Sequence, residues 1–234
     1  GAHAMSLSFV SRRRMCALVA ITCSVLGASC QSDSGGTSGS ATSALTKPDK
    51  NALATPAPDS FKVAFETSKG NFTVVAHRNW APHGVDRFYH LVQVGYFDDA
   101  RFFRVLSGFM AQWGMNGNPR VTAAWDPLTI PDDSVKQSNV RGMVTFAAGS
   151  APDTRSTQLF INYADNRNLD GMRFAPIGQV VHGMSVVDSL YSGYGEGAPG
   201  GSGPDQELIA RDGNAYLTKN FPKLDFIKTA RIVP

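Results

Sequence analysis

From Phe61 onward, apolar and polar positions repeat with recognisable periods. Phe61-Lys62-Val63-Ala64-Phe65-Glu66 alternates large apolar residues with small or polar ones. Ser68-Lys69-Gly70-Asn71 reads as a turn, and Phe72-Thr73-Val74-Val75 follows, so the run predicts a β-hairpin. Pro82 stands where a helix can start, Val85, Phe88 and Val92 recur at helical spacing, and Gly95 can close it. Strand-like runs follow at 102–105, 109–113, 142–147, 158–162 and 177–181. A second helix fits 184–191, ended by Gly193, and a last strand fits 225–233. Strands outnumber helices and do not alternate with them, which excludes a βαβ design. The pattern predicts a mainly β chain, a closed antiparallel barrel or sandwich with helices on its ends. Between Gly193 and Asn220 the chain is at first poor in apolar residues. Loops of that length are uncommon without internal structure or a function, and 204–211 predicts one short helix ahead of Gly213.

The first sixty residues carry a different pattern. Gly1 to Ala4 before Met5 reads as an expression scar, set aside with its His3. Arg12-Arg13-Arg14 then precede an uncharged stretch from Met15 to Ala28, followed by small residues and Cys30. A basic start, a short apolar run and a small-residue exit predict a secretory signal over 5–30. A transmembrane helix fits less well, because spanning a bilayer takes ~18–20 apolar residues. Leu26-Gly27-Ala28-Ser29-Cys30 is similar to a bacterial lipobox, with the apolar residue one place further from the cysteine than usual. Two expectations follow: lipidation of Cys30, or plain cleavage near position 30. Gln31 to Ser60 is dominated by Ser, Thr, Gly, Ala and Pro, with only Leu45 and Leu53 as large apolar residues. Such a composition predicts a flexible linker over 31–60 ahead of a folded domain at 61–234. The chain is therefore expected to be exported, periplasmic or tethered to a membrane as a lipoprotein.

Charge changes this picture only by its placement. The formal net charge is +3, with Lys+Arg 22 against Asp+Glu 19. Arginines 12 to 14 are the only charged residues before position 31, so 19 basic residues remain against 19 acidic ones in the rest. That balance leaves no nucleic-acid footprint. All three cysteines (Cys16, Cys23 and Cys30) also precede position 31, and a cysteine-free body suits an oxidising compartment.

Candidate chemistry is sparse. The body has no cysteine nucleophile and no G-x-S-x-G, and His77, His83, His90 and His182 lack zinc-ligand spacing and read as solvated or loop residues. No metal site is expected. Gly195-Glu196-Gly197-Ala198-Pro199-Gly200 formally matches G-x-G-x-x-G, but it neither follows a clear strand nor opens a helix, so it reads as a chance match. Paired acids at Asp98-Asp99 and Asp132-Asp133 read as turn residues. The informative run is Phe102-Phe103-Arg104-Val105-Leu106-Ser107-Gly108-Phe109-Met110-Ala111-Gln112-Trp113-Gly114. By periodicity alone it is two apolar strands about a Ser-Gly turn, with Arg104 an ordinary surface arginine lying along apolar neighbours.

That run resembles the signature of the cyclophilin family of peptidyl-prolyl cis–trans isomerases. The resemblance continues in order through GMVTFAAG at 142–149, TQLFIN at 157–162 and NLDGMRFAPIGQVVHGMSVVD at 168–188. It implies an eight-stranded antiparallel β-barrel closed by two helices, and an enzyme that needs neither cofactor nor metal. It also implies proline-containing polypeptides as partners and, with the export signal, a role in folding exported proteins. Matched by motif, Arg104 takes the place of the family's catalytic arginine. Phe109, Met110, Phe160 and Leu169 take the places of the proline pocket. Gln112 lies beside the arginine, Ala147 and Gln158 fall in the peptide groove, and Phe174 stands in FAPIG where many members have histidine. Asn168 stands where many eukaryotic members carry a tryptophan that contacts cyclosporin, so weak cyclosporin binding is expected. Asn168 and the long 193–220 segment also motivate an alternative: a proline-peptide binding module on the same fold with little catalysis.

Overall fold

The structure, a computed structural model, describes residues 44–234. The expression scar, the signal, Cys30 and the linker before residue 44 lie outside the described residues. The hairpin forms as the alternation predicts, with β1 at Ser60–Thr67 and β2 at Gly70–His77 in antiparallel register from Ser60↔His77 to Thr67↔Gly70. Phe61, Val63 and Phe65 on β1 and Phe72, Val74 and Ala76 on β2 point to one buried face. The remaining strands are β3 (Arg104–Leu106), β4 (Met110–Trp113), β5 (Met143–Phe146), β6 (Leu159–Asn162), β7 (Pro176–His182) and β8 (Ile227–Val233). All eight join one antiparallel sheet in the order β3-β4-β6-β5-β7-β2-β1-β8.

The barrel expected from the resemblance does not close through a ladder between β3 and β8. Their lead-in segments meet instead at a single bridge, Arg101↔Phe226. Three backbone bonds flank it: Asp99 N to Ile227 O at 2.8 Å, Phe102 N to Asp225 O at 2.9 Å and Ile227 N to Ala100 O at 2.9 Å. The buried face of the sheet carries an aromatic core. Phe65 lies parallel to Phe72 at 4.7 Å between ring centroids, and Trp113 meets Phe65 edge-on at 6.1 Å.

Helices cover the sheet, though not quite those the sequence predicts. A four-residue turn of helix, α1, spans Lys50–Leu53, and α2 spans Pro82–Gln93 with proline at its start. Val85, Phe88, Leu91 and Val92 bury the inner face of α2, which packs against β7 and β8. The first-turn amides of α2 find their acceptor far away: His83 N and Gly84 N donate to the two carboxylate oxygens of Asp133 at 3.1 and 2.8 Å. Asp133 is thus a helix cap supplied from a distance rather than a turn residue. Helix α3 (Pro119–Trp125) has no forerunner in the apolar periodicity, although Asn118 caps it and Pro119 opens it. The helix expected at 184–191 is shorter, α4 at Met184–Asp188. The segment 193–220 carries the longer α5 (Gln206–Asn220), which continues past the predicted stop through a break at Gly213. There φ is 57°, and a Cβ would collide with the Gly117 carbonyl, which accepts a 2.9 Å bond from Asn214 N.

Residues 44–60, expected to belong to a flexible linker, are instead folded onto the body. Leu45 and Leu53 pack against the main core, and Ala57 is buried. The Leu45 carbonyl accepts from Trp125 Nε1 at 2.8 Å, and Ala57 N donates to Asp86 Oδ1 at 2.8 Å. His90 Nε2 lies 2.8 Å from the Thr55 carbonyl. His90 is therefore a buried clamp on this segment, not a solvated histidine.

Candidate functional site

Strand alternation sorts the informative run onto two faces. Ala111 and Trp113 of β4, with Val105, Leu159 and Ile161 of its neighbours, enter the main core. Met110 and Gln112, one residue out of phase, point the other way. Register then aligns Arg104 with Gln112 across β3–β4, and Gln112 with Phe160 across β4–β6, one rung over three strands. On that outer face Met110, Phe160 and Leu169 form a separate apolar cluster, with Leu106, Phe109, Ala147 and Phe174 packed against it. A one-residue slip of β4 would exchange the two faces, so the site's register is fixed by the core behind it.

These side chains border a cavity of about 480 Å³. Arg104, Phe109, Met110, Gln112, Ala147, Gln158, Phe160, Leu169 and Phe174, all nine body residues singled out from the sequence, lie on its wall. Asp126, just past α3, and Gln206 at the start of α5 also line it, and sequence reasoning missed both. Phe160 and Phe174 meet edge-on at 5.8 Å. Asn168 is exposed on the 3₁₀ turn Arg167–Met172 that carries the buried Leu169.

A polar frame holds the apolar wall in place. Asn139, fully buried, receives the Thr145 hydroxyl at 2.8 Å and donates to Asp170 Oδ1 at 2.8 Å and the Phe174 carbonyl at 2.7 Å. Asn166 donates to the Phe109 carbonyl at 2.9 Å and to Asn162 Oδ1 at 2.8 Å. Burial would raise the Asp170 carboxyl, but hydrogen bonds from the Asn139 side chain and backbone outweigh it and hold the group below the usual carboxylate value. Arg155, itself buried, binds Asp132 and the Arg173 carbonyl and lays its guanidinium 5.5 Å from the Phe174 ring centre. Asp132 therefore anchors an arginine behind the pocket, which its place in a turn-like pair did not suggest.

Arg104 stands at the edge of this pocket, its Cζ 5.9 Å from the Phe109 ring centre. Its Nη1 donates to Gln112 Oε1 at 3.1 Å, and Gln112 Nε2 passes a 2.8 Å bond to Gln158 Oε1. Its Nε and Nη2 each lie 2.6 Å from an oxygen of Glu196, a bidentate pair. These hydrogen bonds, with the arginine charge, hold the Glu196 carboxyl below the usual glutamate value against partial desolvation. Glu196 belongs to the glycine-rich run set aside as a chance match, and nothing local in the sequence signals a contact 92 positions away. Of the five N–H donors on a guanidinium, one on Nη1 and one on Nη2 have no oxygen partner among the described residues. The second Nη1 donor points to the sulfur of Met110 at 3.9 Å. The arrangement fixes the guanidinium at the edge of an apolar pocket, with Nη1 on the side of Met110.

A family model described as cyclophilin type peptidyl-prolyl cis-trans isomerase/CLD matches residues 62–206. Among curated relatives, "Peptidyl-prolyl cis-trans isomerase A" of Dickeya dadantii is 35% identical over 138 residues, 57% of this chain and 73% of its own. "Peptidyl-prolyl cis-trans isomerase B" of Escherichia coli is 29% identical over 158 residues, 64% of this chain and 93% of its own. Among solved structures, a Cryptosporidium parvum cyclophilin type isomerase superposes with a TM-score of 0.55 at 18% identity, covering 75% of this chain and 98% of that one. A second structure of it, in the presence of the dipeptide Ala-Pro, gives a TM-score of 0.54, also at 18% identity, over 74% of this chain and 99% of that one.

Proposed function

The chain belongs to the cyclophilin-type peptidyl-prolyl cis-trans isomerase family, and from that premise we propose that Arg104 carries the reaction on X–Pro bonds of exported polypeptides. An X–Pro amide resists rotation because resonance gives its C–N bond double-bond character, a barrier of roughly 18–20 kcal/mol. No bond has to be made or broken. Catalysis requires a grip on the proline ring and a donor that favours the twisted amide over the planar one.

Phe109, Met110, Phe160 and Leu169 supply the grip by apolar contact. When the amide twists, resonance is lost and the prolyl nitrogen regains a lone pair. Arg104 donates to that nitrogen, an interaction the planar ground state cannot make. Arginine suits the task because it stays protonated and its fork is rigid. Gln112 and Gln158 fix one nitrogen of that fork from the floor of the groove. The observation that carries this reading is the placement of the Arg104 guanidinium at the edge of the apolar pocket, with Nη1 beside the Met110 sulfur on the pocket wall and the opposite edge held by Glu196. The family to which the chain belongs favours turnover over a module that only binds proline peptides. In a protease-free assay on a proline tetrapeptide, the wild type accelerates isomerisation and Arg104→Ala loses on the order of 10²–10³-fold. Equal rates in the two proteins would refute the assignment.

Export is part of the same proposal. Arg12 to Arg14, the uncharged run to Ala28 and Cys30 support a signal with a lipid anchor on Cys30, and the enzyme would then act on proteins folding outside the cytoplasm. Weak cyclosporin binding is proposed with it, since Asn168 offers neither the apolar area nor the N–H donor of an indole ring.

A further inference from the structure

The contact between Glu196 and Arg104 is absent from the role just assigned to the arginine, and the loop that makes it is elaborately held. Glu196 lies in the stretch between α4 and α5. Its carbonyl accepts from Gly203 N at 2.8 Å, and Gly197 N donates to its own Oε1 at 3.0 Å. Gly201 N closes a further turn on the Gly197 carbonyl at 2.9 Å. A Cβ on either Gly201 or Gly203 would collide with the Glu196 carbonyl, so these glycines let the backbone wrap closely around the acid. Two residues earlier, Tyr194 stacks edge-on against Tyr191 at 5.1 Å and Phe221 at 5.0 Å, and its hydroxyl accepts from Lys223 N at 3.3 Å. The glycine-rich run is thus a folded cradle, and what it presents is one carboxylate.

We propose that Glu196 is a positioning residue for the isomerisation, holding the Nε and Nη2 edge of Arg104 so that the remaining donors face the proline pocket. This rests on the reading of Arg104 as the catalytic residue. Gln112 alone grips the guanidinium at one nitrogen and leaves it free to swing about that bond. A bidentate carboxylate adds two parallel bonds and fixes the plane of the fork. The edge that Glu196 occupies is not the one beside Met110 and the pocket, so it steadies the arginine without consuming the donors a substrate needs. An inhibitory latch would do the reverse and compete with substrate for Arg104.

The test compares wild type, Glu196→Ala and Glu196→Gln in the protease-free tetrapeptide assay, with the Arg104 Nε–H signal followed by ¹H–¹⁵N NMR. Glu196→Ala is expected to lower kcat on the order of tenfold, as a misaligned catalytic group does, with KM within about twofold. Its Arg104 Nε–H signal should shift and exchange faster with water. Glu196→Gln, nearly isosteric and keeping one acceptor oxygen, should recover part of the lost kcat, and it keeps the question open to measurement if the alanine variant folds poorly. An unchanged kcat in Glu196→Ala, or an unmoved Nε–H signal, overturns the inference, and a raised kcat identifies a latch instead. A wild type that does not accelerate isomerisation would refute the isomerase reading itself, a result separate from either.

Discussion

At the scale of single residues, the site divides into side chains whose neighbours are local and side chains whose neighbours are remote. Arg104, Met110 and Gln112 sit within one tight hairpin, so two strands and a Ser-Gly turn already bring them together. Glu196 and Arg155 contact the pocket residues Arg104 and Phe174 from distant positions, and their carboxylate and guanidinium look like ordinary surface charges in the sequence. Asn168 is the departure with a direct consequence. It is exposed beside the buried Leu169 rather than folded into the wall, so the pocket loses the aromatic rim an indole would provide. Cyclosporin is therefore expected to inhibit the wild type weakly, and Asn168→Trp to tighten inhibition by roughly tenfold or more, in keeping with the 1.5–3 kcal/mol of a buried large apolar side chain. Nanomolar inhibition of the wild type would contradict this account of the rim.

At the scale of elements, periodicity finds what is long or alternating and overlooks what is short and capped. The hairpin β1–β2, helix α2 and the strand pair around Ser107-Gly108 all follow from apolar spacing. Helix α3 escapes because only Val121, Thr122 and Trp125 are buried on it, too few to mark a stripe. Its signal lies instead in Asn118-Pro119, a cap and a starter. The segment before β1 escapes for a related reason. Its composition is that of a linker, yet two leucines and a few backbone groups find partners on α2 and α3. The bond from Trp125 Nε1 to the Leu45 carbonyl is the clearest of these contacts. Trp125→Phe removes that donor from a nearly fully buried ring and is expected to lower stability by roughly 1–3 kcal/mol. An unchanged urea midpoint would mean that this bond contributes nothing to stability.

At the scale of the whole molecule, the sheet has one face filled by the aromatic core and a small apolar patch on the other, and that patch lines the candidate site. Such a layout leaves the rigid side of the sheet to set the geometry of the reactive side. The export proposal belongs to this scale too. The net positive charge and all the cysteines come from the first thirty residues, while the rest is charge-balanced. Mass spectrometry of the protein from membranes of a bacterium producing the full chain is expected to show a lipid adduct on Cys30. An unmodified mature N-terminus near position 30 would leave a freely exported protein without an anchor.

The most direct test of the central claim separates binding from turnover. Exchange NMR on a proline peptide at equilibrium, with catalytic amounts of protein, reads the cis–trans interconversion rate, and titration of the same peptide reads its affinity. For Arg104→Ala the account predicts an affinity within a few-fold of wild type, because the apolar pocket is intact. The enhancement of exchange should fall by on the order of 10²–10³-fold, because the donor to the prolyl nitrogen is gone. Undiminished exchange in Arg104→Ala would contradict the account.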